Sequence, residues 1–212
     1  MSGELSYWPL HLRKDRVIYD EGDPSTTMYR IQKGCVRLQV NGPTGDRQII
    51  AFLSEGDTFG FCLNRRSASA EAVTPVDLVC ISIRAMLIQA CREPSLIVDL
   101  LASADRCYSS LAHHLERMVH LNATERVLAF LAGEASRQGR TEAADRLMLR
   151  MNRQDVADFL GLEPETVSRA LKTLETKGVL TRRGRRGFQL HAPALAYAAH
   201  RTREMAAASP AA

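Results

Sequence analysis

Between Asn152 and Leu174 two apolar periodicities of helical spacing are separated by a single glycine. Val156, Phe159 and Leu160 recur before Gly161, and Val167, Ala170, Leu171 and Leu174 recur after it. Two short amphipathic helices that turn at the glycine satisfy this pattern. Each has its own start. Asn152 with Asp155 three positions on is a near capping box, and Pro164 suits the first turn of the second helix, where no N–H is needed. Glu163 is a weaker cap than Ser, Thr, Asn or Asp. On the outer side of the second helix Glu165, Ser168, Arg169 and Lys172 stand at i, i+3, i+4 and i+7. A solvated helical hairpin needs no such stripe, whereas a helix lying in the major groove does. Arg forks onto guanine O6 and N7, Glu accepts from a cytosine amino group, and each good pair discriminates by about 1–3 kcal/mol. The stretch therefore reads as a DNA-reading helix-turn-helix.

The flanking segments fit that reading. Asn122-Ala123-Thr124-Glu125 is a capping box that starts a new helix, so Asn122 is the candidate hinge. That helix runs from Glu125 to about Arg137 with Val127, Leu128, Phe130 and Leu131 as its core face, followed by a loop over Gln138–Ala144 and a short strand over Arg146–Arg150. Beyond the second reading helix Gly178 stops the run and Val179-Leu180-Thr181 begins a strand. Arg182-Arg183-Gly184-Arg185-Arg186-Gly187 forms a tight basic turn and Phe188-Gln189-Leu190 returns, which makes a β-hairpin wing. Asn152, Arg153, Gln154, Thr166 and Lys172, with Arg182, Arg183, Arg185 and Arg186 of the wing, are the expected phosphate contacts. From Asn122 onward 15 of the 28 Lys and Arg meet 10 of the 24 Asp and Glu, net +5, which leaves −1 for everything before it. The basic half is the one a phosphate backbone would attract. A short helix over Ala194–Met205 and a disordered tail to Ala212 are expected to end the chain.

The first half has another rhythm. After a leader to about residue 14, short strands are expected over Arg16–Asp20, Met28–Lys33, Cys35–Val40, Gln48–Leu53, Ser69–Val73 and Val76–Ile83, with turns at Lys33-Gly34, Asn41-Gly42-Pro43 and Pro75. Alternation of Val36, Leu38 and Val40 with Arg37, Gln39 and Asn41 gives one face to a core and one to water. Glu-Gly-Asp occurs at 21–23 and again at 55–57, one triplet opening each half of a two-layered β-roll. After Arg84 the period becomes helical: a short helix to about Cys91, then a long one from Glu93-Pro94-Ser95 to Leu121. Within the long helix Leu101, Ala104, Tyr108, Leu111, Leu115 and Met118 alternate spacings of three and four, the seam of a two-stranded coiled coil, and so imply a homodimer. The fold class is thus α+β, with a β-roll over 1–92, a dimerisation helix over 93–121, a winged helix-turn-helix over 122–195 and a terminal helix and tail over 196–212.

Several function classes lack their residues. No apolar run approaches the roughly 18 residues of a membrane span, and Met1–Ser6 has no signal-peptide pattern, so a soluble cytoplasmic protein is expected. Cys35, Cys62, Cys80, Cys91 and Cys107 are spread singly, without ligand spacing for zinc or an iron–sulfur cluster. Cys62 and Cys107 are the candidate redox sensors. No metal site is expected and no catalytic constellation is legible. A cupin-like metalloenzyme would need clustered His on the β-roll, yet no His lies between residues 15 and 112.

A β-roll, a long dimer helix and a winged helix-turn-helix resemble the CRP/FNR superfamily of bacterial transcription regulators over about residues 15–195. The most specific stretch, Arg153 to Leu162 with Glu165-Thr166-Val167-Ser168-Arg169, is similar to the FNR and FixK branch. That likeness implies Glu165, Ser168 and Arg169 as base readers on an FNR-type palindrome with TTGAT-like half-sites. It also implies recruitment of RNA polymerase by an activator and a role in low-oxygen or redox-linked gene control. Pro164 stands where the CRP branch has a base-reading arginine. CRP-like proteins bind cyclic AMP through a Gly-Glu pair and an Arg-Ser pair. Here Gly60 is followed by Phe61, and the segment before Arg66-Ser67 is short, although that pair retains the means to hold a phosphate. FNR's N-terminal cysteine group is missing, and His11, His113, His114 and His120 are candidates for a haem. Neither cyclic nucleotide, iron–sulfur cluster nor haem is therefore expected. Ser69-Ala70-Glu71-Ala72-Val73 resembles a FixK strand, and that branch implies control by expression level or by a regulatory partner protein. The rival readings are a haem- or small-ligand-sensing regulator of the same superfamily and a cyclic-nucleotide-binding module.

Overall fold

Residues 7–42, 45–139, 146–184, 186–191 and 194 are described by the structure, a computed structural model. The chain divides into two compact units between Leu115 and Glu116. The first holds eight strands among the described residues: β1 (Tyr7–Leu12), β2 (Val17–Tyr19), β3 (Thr27–Lys33), β4 (Cys35–Asn41), β5 (Arg47–Ser54), β6 (Thr58–Phe59), β7 (Ser69–Ala72) and β8 (Val76–Ser82), followed by α1 (Ile83–Ala90). Two antiparallel four-stranded sheets, ordered β1-β8-β3-β6 and β2-β7-β4-β5, close over one core. Tyr29, Ile31, Phe59, Val76, Leu78 and Cys80 of the first sheet pack with Val36, Ala70 and Ala72 of the second. This is the expected two-layered roll, and it excludes water because each strand sends alternate side chains inward.

The repeated Glu-Gly-Asp triplets build the same turn. Gly22 and Gly56 both take positive φ, 85° and 91°. Asp23 Oδ2 accepts from the Asp20 N–H at 2.9 Å, and Asp57 Oδ2 accepts from the Ser54 N–H at 2.7 Å. The two halves of the roll are thus turned by one local device.

Two expectations are corrected. Residues 7–12 are not leader: β1 pairs antiparallel with β8, Tyr7 opposite Ile81 and Leu12 opposite Val76, and Leu10 and Leu12 pack against the core. Pro9 lacks an N–H for a ladder, but β1 is an edge strand, where that absence is tolerated. Nor does Arg37 face water. It is 7% exposed, with Nη2 donating to Glu71 Oε1 at 2.6 Å and Nε to Gln39 Oε1 at 3.1 Å. Glu71 lies directly opposite on β7, so burial joins two opposite charges.

α2 spans Ser95–His120 and crosses the division. The second unit continues with α3 (Ala123–Arg137), β9 (Arg146–Met148), α4 (Arg153–Leu160), α5 (Pro164–Thr176), β10 (Leu180–Arg182) and β11 (Gly187–Leu190). The capping box expected at Asn122 is complete: Oδ1 accepts from the N–H of Thr124 and of Glu125, while Glu125 Oε2 accepts from the Asn122 N–H. β10, β11 and β9 form one antiparallel sheet, the expected wing. The expected C-terminal helix and tail lie outside the described residues beyond Ala194.

Gly34 shows how tightly the roll closes. It takes φ 102°, and an added Cβ would lie 2.4 Å from the Pro75 carbonyl oxygen. At Gly22 the φ is also positive, yet nothing lies within 4 Å. Gly22→Ala should therefore lower the unfolding free energy by about 1 kcal/mol from backbone strain alone, and Gly34→Ala by about 2–5 kcal/mol. Urea unfolding measures both, and equal losses would mean that the Pro75 loop yields without cost.

Candidate nucleic-acid interface

α4 and α5 form the helix pair that the apolar spacing predicts. Asn152 Oδ1 accepts from the Asp155 N–H at 2.8 Å and Asp155 Oδ2 accepts in return from the Asn152 N–H at 3.3 Å, so the near capping box is a working one. Gly161 ends α4 in the left-handed region, φ 60° and ψ 44°. Pro164 opens α5, and Glu163 makes no side-chain cap, as its residue type predicts. Val167, Ala170, Leu171 and Leu174 are buried, and this leaves Glu165, Arg169 and Lys172 exposed on the opposite side. Phe159 is half-buried, its ring 5.7 Å from that of Phe130 on α3.

Not every expected DNA contact stands free in water. The Ser168 hydroxyl donates to the Pro164 carbonyl at 2.8 Å and accepts from Arg153 Nη1 at 2.8 Å. With its one proton committed inward, Ser168 retains acceptor capacity only. Arg153 is thereby drawn onto the reading helix. Arg169 Nη2 donates to Thr166 Oγ1 at 3.1 Å, which lays the guanidinium along the helix surface. Asn152 Oδ1 is spent on its cap, and Gln154 Nε2 donates to Asp158 Oδ1 at 2.7 Å.

The wing is shaped by its arginines. Arg182 pairs with Glu175 at 3.4 Å, and its Nη2 donates to the Ser168 carbonyl at 3.4 Å, so this residue braces the wing against α5 instead of standing at its tip. Arg183 forks onto Gln189 Oε1 at 3.2 and 2.9 Å, and Arg186 Nη1 donates to the Arg150 carbonyl at 3.3 Å. Arg185 lies outside the described residues. Two further positions matter that the spacing did not single out. Arg146 Nη2 donates to the Arg183 carbonyl at 2.6 Å, and a Cβ on Gly187 would lie 2.3 Å from that same oxygen. Only a glycine admits so close a turn.

On α2 no residue is buried within the single chain. Leu101, Tyr108, Leu111 and Leu115 of the seam are exposed by 54–73%, Ala104 is exposed, and Val98 and Val119 extend the apolar run at either end. Met118 departs from the expected seam. It is half-buried, and its methyl stands 2.6 Å from where a Cβ on Gly161 would be, a space that exists only because position 161 is glycine.

In the β-roll the Tyr29 ring stacks with those of Tyr19 and Phe59 at 5.8 and 5.3 Å between centroids, and Tyr19 and Phe59 meet tilted at 6.2 Å. Arg66 lies among them, 5% exposed and 4.1 Å over the Tyr19 ring, with its two Nη groups donating to the carbonyls of Gly60 and Thr27. Burial pushes the Tyr19 hydroxyl up to about 12 against the opposing pull of Arg66, so the ring stays neutral beneath the cation. Arg66 Nε meets no acceptor among the described residues. Gly60 has φ 81° and no room for a side chain, Phe61 is exposed where a ribose-binding carboxylate would be needed, and Ser67 is exposed as well. Both terminal nitrogens of Arg66 are thus bonded within the chain. Cys62, half-buried, donates from Sγ to the Arg65 carbonyl at 3.0 Å; Cys91 and Cys107 are exposed, and Cys35 and Cys80 are buried. Of the histidines, His11 Nδ1 lies 2.8 Å from Asp77 Oδ1 and His113 Nδ1 lies 2.6 Å from the Ser109 carbonyl. Among the described residues no three metal-ligating side chains come together, and no helix is long and apolar enough to cross a membrane.

Comparison with known proteins places both halves. Residues 9–90 match the cyclic nucleotide-binding domain and residues 125–195 the Crp-like helix-turn-helix domain. The nitrogen fixation regulation protein FixK of Bradyrhizobium diazoefficiens is 35% identical over 81% of this chain and 73% of its own length. FixK of Rhizobium meliloti is 35% identical over 84% of this chain and 80% of its own. The solved structure of FixK2 from Bradyrhizobium japonicum covers 98% of this chain and 100% of that one with a TM-score of 0.82 at 29% identity. With a DNA-reading helix pair, a wing and a β-roll all in the family's order, the chain belongs to the FixK-like branch of the CRP/FNR superfamily and is a DNA-binding transcription regulator.

Proposed function

We propose that the regulator acts as a homodimer on an FNR-type palindrome with TTGAT-like half-sites, and that it activates transcription by recruiting RNA polymerase. The observation that carries this reading is the pairing of two faces: an α2 that has no fully buried residue within its own chain and leaves its apolar run exposed, and an α5 that buries one side and leaves Glu165, Arg169 and Lys172 in water. A contiguous apolar run of this length is covered in a working protein, and a second α2 matches it in length and periodicity. Two α5 helices about 34 Å apart then enter successive major grooves on one face of the duplex. Glu165 and Arg169 read base edges, and Ser168 reads as an acceptor. Arg153, Thr166 and Lys172, with Arg183 and Arg186 of the wing, face phosphates.

The signal side is argued from the roll. With Arg66 held over Tyr19, DNA binding proceeds without cyclic nucleotide, and neither haem nor an iron–sulfur cluster is required. Control by expression level or by a regulatory partner protein is consistent with such a closed roll, in a cytoplasmic, non-catalytic regulator of low-oxygen or redox-linked genes.

Replacing Arg169 by Ala should cost about 1–3 kcal/mol at the palindrome and relax preference at one base position. Arg183→Ala should instead weaken all sequences alike and reduce the salt slope by about 1. Fluorescence anisotropy on specific and scrambled duplexes separates the two, and an equal loss on both for Arg169→Ala would remove it from the readers. Leu111→Asp should yield monomers with little operator affinity, and an unchanged dimer mass in sedimentation would sink the α2 seam. Cyclic AMP or cyclic GMP at millimolar concentration should leave operator affinity unaltered; a nucleotide-dependent rise would overturn the closed-roll reading.

A further inference from the structure

The last carbonyls of a helix have no partner within it and form the negative end of its dipole. Two such ends meet in the second unit, the last turn of α2 and the end of α4. One side chain serves both. Arg126, on the first turn of α3, donates from Nη2 to the Met118 carbonyl at 2.6 Å, from Nε to the Leu121 carbonyl at 2.9 Å and from Nη1 to the Leu160 carbonyl at 3.3 Å. Met118 lies within the last turn of α2, Leu121 just past its end, and Leu160 closes α4. A planar guanidinium presents donors in a rigid fork, so it can hold three acceptors on two segments at once. A lysine ammonium is a point charge on a flexible stem and cannot fix them in one plane.

A second contact joins the same two ends without using charge. The Met118 methyl occupies the space that a side chain at Gly161 would take, and Gly161 is the left-handed cap of α4. The polar and the apolar contact flank Asn122, the position where sequence places the hinge. Asn122 is itself locked in a complete capping box with φ −73° and ψ 169°. The junction after α2 is therefore a braced joint and not a loose linker.

We infer that Arg126 is a positioning residue for DNA reading: by tying the end of α2 to the end of α4 it sets how the reading helix is presented by a dimer. This rests on the homodimer reading given above. Arg126 is only half-buried, and α3 is anchored independently by buried Val127, Phe130 and Leu131 and by its own cap. Loss of the guanidinium should hence loosen the joint before it unfolds the unit. A dimer whose readers are held rigidly tolerates only one separation between half-sites, because each added base pair moves the second half-site by about 3.4 Å and about a tenth of a turn. A dimer with loosened readers tolerates several.

The test uses the full-length protein and a series of duplexes whose two TTGAT half-sites are separated by spacers that step one base pair at a time. The wild-type dimer should prefer one spacing sharply. Arg126→Met should keep the dimer mass and the affinity for random DNA, while its preference for the best spacing over its neighbours falls about tenfold, the scale set by losing charge-assisted hydrogen bonds. Arg126→Lys should recover part of that preference. A purely structural role would lower the melting temperature and the active fraction but leave the spacing preference of the folded molecules intact, and that result would overturn the assignment. Should Arg126→Met fail to fold, Arg126→Lys and Met118→Ala carry the same comparison, and an unaltered spacing preference in both would overturn it equally. A wild-type protein without any spacing preference would instead refute the dimeric reading on which the inference stands.

Discussion

Burial of one side of α5 is the constraint on which the DNA-binding unit depends. Val167, Ala170, Leu171 and Leu174 are withdrawn from water against the rest of the unit, and that fixes the helix in rotation about its axis. The hydrophobic term is non-directional, yet on a helix with one apolar stripe it selects a single roll angle. Glu165, Arg169 and Lys172 are then outward by geometry and need no interaction of their own to be held there. The wing is added to the same helix through Arg182, whose contacts with Glu175 and with the Ser168 carbonyl make α5 and the hairpin one piece. The price of a fixed reader is that some of its polar groups are used within the protein, as Ser168 is by Pro164 and Arg153.

The β-roll solves a different problem with related chemistry. Its interior holds a cation, Arg66, in a nest of aromatic faces and carbonyl oxygens, where the surrounding π-systems and backbone dipoles replace part of the water the guanidinium has lost. A second buried arginine, Arg37, is neutralised across the sheet by Glu71. Both are buried charges supported by specific partners, and both sit in a fold whose relatives carry the name of a nucleotide-binding domain. Likeness of fold does not by itself carry likeness of ligand, since the fold rests on strand pairing and apolar packing, whereas a ligand rests on a few polar groups.

Sequence legibility followed the range of the interactions concerned. The helix starts at Asn122 and Asn152 were readable because a capping box closes over three residues, and the paired Glu-Gly-Asp turns were readable for the same reason. β1 was not, since its partner β8 comes some seventy positions later and Pro9 disguises an edge strand as a leader. Alternation alone assigns Arg37 to water, while Glu71, the residue that allows its burial, is remote in the chain. Met118 fits a heptad by spacing yet turns toward Gly161. Arg126 left no trace at all, because its acceptors are backbone carbonyls and every residue type carries the same one.

From the sequence alone came the class of fold, the order of its parts, the helix pair that reads DNA, and the apolar run on α2, all of them properties of local periodicity, caps and charge. Tertiary structure decided which charged groups are buried, which expected DNA contacts are engaged inside the protein, where the roll begins, and how the end of α2 is joined to the end of α4. These are outcomes of packing between segments distant along the chain, and periodicity within a segment carries no record of which distant segment will face it.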